Sequence, residues 1–110
     1  PGGPGVQALR RDGRAQRLAR GFVDSGRSVA AICAAPTVLA DAGLLRERRH
    51  TAHSSVVTEL PQALTGERVV EDGPVITSRG AGTALDFALT LVRRLSGAEA
   101  AARVSDAIMA

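Results

Sequence analysis

No lysine, tryptophan or tyrosine occurs in this sequence, the only aromatic residues are Phe22 and Phe87, and there is a single cysteine, Cys33. One cysteine excludes an intrachain disulfide. Paired CxxC and HxxxH spacings are missing too. The only thiol or imidazole ligands are Cys33, His50 and His53, so no metal is expected. In an extended segment, histidines three residues apart point to opposite faces, which argues against a metal shared by His50 and His53. No apolar run reaches membrane length and no charged-then-apolar leader opens the chain. The resulting expectation is a soluble, cytoplasmic protein with no membrane partner. With so few aromatics the core must be built from Ala, Val, Leu and Ile, which suits helices packed closely on a sheet.

What is present is arginine: all 14 basic residues are Arg, against 11 acidic ones, for a net charge of +3. Hydrophobic residues make up 45% of the chain, the share of a globular domain. Arg10, Arg14 and Arg17 share helical spacing, with Arg20 nearby, opposite an apolar stripe of Ala15, Leu18, Ala19 and Phe22. No aromatic side chains are interleaved with these arginines to stack on bases. They therefore read as a solvated helix face, and no nucleic-acid partner is expected.

Along the chain, Pro1 to Gly5 has loop composition. Asp12 is placed to cap a helix running to about Val23, ended by Ser25-Gly26. Ser28 to Cys33 is short and almost wholly apolar, the pattern of a parallel strand covered on both faces. Ala34 to Ala42 turns helical, with Pro36 tolerated in the first turn and Gly43 as the stop. Arg49 to His53 reads as a short strand and Ser54 to Gly66 as a loop with a helical turn. Glu67 to Val70 and Pro74 to Ser78 form a hairpin around Glu71-Asp72-Gly73. A helix from about Thr83 to Leu95 places Leu85, Ala88, Leu89, Val92 and Leu95 on one stripe, and a last helix spans Ala98 to Met109. Strands alternating with helices give an α/β domain with a mainly parallel sheet. Four short strands are few for a segment as apolar as Ser28 to Cys33, so either residues upstream of Pro1 or a second copy is expected to complete the sheet.

Cys33 ends that apolar strand, where open α/β sheets bind their ligands. The helix that follows Ala34-Ala35-Pro36 turns its first amides toward the sulfur, an environment that favours the nucleophilic thiolate. Spacing alone leaves open a second possibility, an inert cysteine buried at a strand end.

Val29-Ala30-Ala31-Ile32-Cys33-Ala34-Ala35-Pro36-Thr37 resembles the nucleophile elbow of the ThiJ/PfpI superfamily. Two further blocks agree in order and spacing: Pro1-Gly2-Gly3 upstream, and the stretch from Glu71 through Arg79-Gly80-Ala81-Gly82 to Ala88 downstream. The resemblance covers nearly the whole chain. It implies a flavodoxin-like three-layer sandwich, of which residues 1–110 form a partial, N-terminally incomplete domain, usually as a homodimer. Carried over residue by residue, it implies Cys33 as the nucleophile, the amides of Gly3 and Ala34 as oxyanion donors, and His53 as the histidine near the cysteine. Arg79 and Gly80 shape the adjoining loop. Ser54 departs from the proline usual after that histidine. The family's acidic partner of the cysteine matches no residue here, and Glu47, Glu59 and Glu71 do not replace it on sequence grounds. The implied function is a cofactor-free, glyoxalase III- or deglycase-like activity on 2-oxoaldehydes such as methylglyoxal. The alternative is an oxidative-stress sensor or chaperone that works through oxidation of Cys33.

Overall fold

A computed structural model describes all 110 residues. Helix α1 (Gly5–Asp12) and helix α2 (Arg14–Asp24) precede strand β1 (Val29–Ile32) and helix α3 (Pro36–Asp41). Strands β2 (Val69–Asp72) and β3 (Val75–Ser78) follow, then helices α4 (Ala84–Ser96) and α5 (Ala98–Ala107). No helix is long and apolar enough to cross a membrane.

The sheet order is β1-β3-β2, with β1 and β3 parallel and β2 and β3 antiparallel. All four residues of β3 are buried, and the strand's twofold alternation divides them between two layers. Val75 joins the main core with Val38, Leu39 and Ala42 around α3, together with Val6, Leu44, Leu45 and Leu60. Ile76, fully buried, points the other way. It stands beside Glu71 of β2, whose carboxylate pairs with Arg93 of α4, so α4 covers that second face. The result is an α/β sandwich with helices on both sides of a small mixed sheet.

The first helix corrects the sequence reading. The residues from Gly5 onward are helical rather than loop, and Gly13, at φ +84°, breaks the run into α1 and α2. Glycine adopts this left-handed conformation without a Cβ clash, so a continuous helix gives way to a corner. Asp12 ends α1, yet its carboxylate still accepts the Arg14 N–H at 3.1 Å and the Arg14 guanidinium at 2.7 Å. Those hydrogen bonds hold the Asp12 carboxyl below the usual carboxylate range. Arg10 leaves the predicted arginine face altogether. It sits in α1 and ties Asp41 and Glu59 together, each at 2.8 Å. Buried Gln16 fixes the corner by donating to the Arg10 carbonyl.

Three other expectations change. Arg49 to His53 pairs with no strand, because its polar contacts go to side chains and loop carbonyls instead of a ladder. The hairpin turn is Gly73-Pro74, with Glu71 and Asp72 inside β2, since Asp72 lies opposite Val75. On α4 the anticipated inward stripe is turned out at both ends, Leu85 at 48% and Leu95 at 77% exposure. The partly buried positions are Phe87 and the run from Leu89 to Val92, where α4 lies against β2 and β3.

Strand β1 has a neighbour on one side only. Val29 N–H bonds Pro74 O and Cys33 N–H bonds Ser78 O, so by alternation the amides of Ala30 and Ile32 point off the free edge. An open apolar cavity of about 470 Å³, lined among others by Leu18, Phe22, Ala30 and Val38, runs along it.

Candidate functional site

The site begins where β1 runs out. Cys33 N–H adds one last rung to the ladder by donating to Ser78 O at 3.0 Å, and its carbonyl accepts His53 N–H at 2.8 Å. Between those two bonds the Cys33 backbone is left-handed, with φ at +68°. For a residue with a Cβ this costs about 1–2 kcal/mol. The conformation persists because both of its backbone polar groups are committed to neighbours. The chain then reverses through Ala35 N–H to Ile32 O, and the Thr37 hydroxyl donates to Ala34 O as α3 starts at Pro36. The Ala34 N–H has no acceptor in the chain, so an unpaired donor lies directly beside the sulfur-bearing residue.

The Pro1-Gly2-Gly3 loop packs directly on this turn. A Cβ added to Gly2 would lie 2.6 Å from Cys33 Cβ, 2.8 Å from Ala34 N and 2.9 Å from Cys33 Sγ. Only glycine allows that approach. Gly3 follows at φ +87° with its own N–H unpaired, while its carbonyl accepts Val6 N–H to start α1. The structure therefore brings Gly3, Cys33 and Ala34 to one place.

His53 reaches the same place through its backbone, whereas its imidazole is held from the other side. Ser55 N–H donates to His53 Nδ1 at 3.1 Å, and Ser55 Oγ lies 2.9 Å from the same nitrogen. Because Nδ1 accepts, the neutral ring carries its proton on Nε2 and offers a donor there. No hydrogen bond joins the ring to Sγ. The ring edge lies against Gly80, whose added Cβ would come within 3.3 Å of Cδ2. His50 goes elsewhere: it is buried, with Nδ1 2.8 Å from Arg48 O. The chain holds no cluster of three His, Cys, Asp or Glu side chains suited to a metal.

A polar cleft of about 420 Å³ opens beside His53, lined by Ser54, Arg68, Arg79 and Gly80 to Thr83. Its floor is braced by Thr83 Oγ1, which lies 2.6 Å from Ser78 Oγ and accepts Gly80 N–H at 3.2 Å. The glutamates stand apart: Glu59 pairs with Arg10 and Glu71 with Arg93 and Arg94.

Sequence reasoning missed two contributors. Gly2 was legible as loop composition and as part of the Pro1-Gly2-Gly3 block but was given no role of its own, although a doubled glycine is the mark of close backbone approach. Thr77 is the other, one of the two polar residues, with Ser78, in the buried strand β3. Its Oγ1 accepts the buried Thr51 N–H at 2.9 Å, pinning the segment that delivers His53 to Cys33. Thr77→Val keeps the shape and leaves that amide unpaired, at an expected cost of about 1–3 kcal/mol in urea unfolding. Faster hydrogen exchange at the His53 amide should accompany it.

The sequence profile of the DJ-1/PfpI family matches residues 1–94. Protein DJ-1alpha of Drosophila melanogaster is 39% identical over 113 residues, covering 99% of this chain and 52% of that protein. The glutathione-independent glyoxalase DJR-1.2 of Caenorhabditis elegans is 42% identical over 102 residues, covering 90% of this chain and 54% of that protein. The crystal structure of Drosophila melanogaster DJ-1beta superposes with a TM-score of 0.90 at 36% identity, over 99% of this chain and 61% of that one. The chain thus spans between 52% and 61% of the length of these three relatives.

Proposed function

Since this chain belongs to the DJ-1/PfpI family, we propose that it supplies the cysteine-bearing part of a glyoxalase-type catalyst acting on 2-oxoaldehydes such as methylglyoxal. The observation that carries this reading is the left-handed Cys33 at the end of β1 with the unpaired Ala34 N–H beside it.

The chemistry follows from those groups. The Cys33 thiolate attacks the aldehyde carbon, a C–S bond forms, and the C=O electron pair moves onto oxygen. The amides of Ala34 and Gly3 are the donors for that oxyanion, which becomes a hemithioacetal. Removal of the proton on the same carbon gives an enediol, and reprotonation at the neighbouring carbon gives a thioester of lactate. Water cleaves the thioester and returns the thiol, so the net change is one water added and no external oxidant is consumed.

The tautomer of His53 decides its part. With Nδ1 accepting from Ser55, the neutral ring donates through Nε2 and suits the substrate's second oxygen, while the carbon-bound proton needs another base. Glu59 and Glu71 are held by arginines away from Cys33. Within these residues that proton therefore passes to a base from solution.

The test is to incubate the chain with methylglyoxal, without glutathione, and follow lactate. Formation should depend on Cys33 and rise with the concentration of a basic buffer such as imidazole. The reading is overturned if the aldehyde is not consumed and also fails to protect Cys33 from iodoacetamide.

A further inference from the structure

Of the two arginines that line the cleft beside His53, only one is neutralised. Arg68 donates to the Asp86 carboxylate at 2.6 Å and to Gly82 O at 2.9 Å. Arg79 is exposed and has no acidic partner and no hydrogen bond from its side chain. No aspartate or glutamate lines this cleft, so its field is set by one free positive charge. The Arg79 backbone follows the last rung of the ladder to the reactive residue: Ser78 O accepts the Cys33 N–H at 3.0 Å, and Arg79 comes next in the chain. On the far side, Gly80 abuts the His53 ring. The cleft that His53 and Arg79 line therefore adjoins the turn that carries Cys33.

The geometry points to Arg79 as the residue that selects substrates with an anionic tail, a carboxylate or phosphate separated from the aldehyde by a short carbon chain. This rests on the 2-oxoaldehyde reading and makes it specific. A guanidinium without a carboxylate partner offers its planar fork to a carboxylate or phosphate without first breaking an ion pair. Methylglyoxal leaves that fork unused. The five-carbon 4,5-dioxovalerate has the dicarbonyl at one end and a carboxylate at the other. Its aldehyde carbon becomes a carboxyl as the neighbouring ketone becomes an alcohol, with one water added, giving 2-hydroxyglutarate.

Two measurements separate this proposal from the reading beneath it. The first needs no turnover: the rates at which Cys33 is alkylated by anionic iodoacetate and by neutral iodoacetamide, read by intact mass. In low salt Arg79→Gln should lower the iodoacetate-to-iodoacetamide ratio about fivefold, the scale of one partly screened charge nearby. In 1 M salt the difference should nearly vanish. Arg103→Gln, on the exposed face of α5, should leave the ratio as it is. An unchanged ratio in Arg79→Gln, or a fall of the same size in Arg103→Gln, overturns the assignment.

The second measurement is kcat/KM for 4,5-dioxovalerate relative to methylglyoxal in the same buffer. Arg79→Gln should lower that preference about tenfold, and Arg79→Lys should restore part of it. Equal preference in all three proteins overturns the substrate class. If the alkylation ratio responds and neither aldehyde is consumed, the anion site stands and the glyoxalase reading falls.

Discussion

Cys33→Ser is expected to reduce lactate formation from methylglyoxal by at least about a thousandfold, to the level of buffer alone. A serine hydroxyl is a far weaker nucleophile at neutral pH and has no general base within reach here, since the His53 ring makes no bond to the Cys33 side chain. Structure should survive the change. Serine is close to cysteine in size, the left-handed turn strains both equally, and the backbone bonds to Ser78 O and His53 N–H are untouched. Unfolding free energies from urea titration should therefore agree within about 0.5 kcal/mol. A serine variant as active as the parent would move the reaction away from Cys33. Equal loss of activity and of fold would leave the sulfur without a demonstrated chemical part.

Gly2→Ala should be nearly as damaging, for a different reason. Its methyl group would be 2.6 Å from Cys33 Cβ and 2.8 Å from the Ala34 nitrogen, contacts that require the Pro1-Gly2-Gly3 loop to lift from the turn. The expected cost is about 1–3 kcal/mol of stability. As the loop lifts, the Gly3 donor leaves the site and the sulfur loses its cover. Alkylation of Cys33 by iodoacetamide should therefore speed up while turnover falls. Gly5→Ala is the matched control: nothing lies within 4 Å of its added Cβ, and alanine at the start of α1 should be neutral or mildly stabilising. If Gly2→Ala behaves like Gly5→Ala, the loop does not pack on Cys33 as described.

Much of this arrangement was legible in the residues, and the parts that were not have physical reasons. The apolar run before Cys33 and the small residues after it announced a buried strand, a sharp turn and a helix. The family resemblance then set Gly3 and Ala34 beside it through two of its blocks, and His53 through its position in the family. Gly13 showed only composition, because a glycine inside an amphipathic pattern is equally compatible with a helix and with a corner. Arg49 to His53 alternates like a strand, but Thr51 spends its amide on the Thr77 hydroxyl, a tertiary contact no local pattern encodes. The α4 stripe failed because periodicity gives a helix its faces without saying which one meets the sheet. The histidine tautomer lay beyond sequence altogether, since it turns on a single hydrogen bond from Ser55.

The left-handed turn at the end of β1 bears on how this position withstands drift. Glycine would hold the same backbone without the clash of a Cβ, a relief of about 1 kcal/mol, and would keep both flanking backbone bonds. Random substitution toward glycine at position 33 would thus tend to improve the fold while deleting its only thiol. Selection for stability alone has no reason to keep a cysteine there; selection for a thiol does.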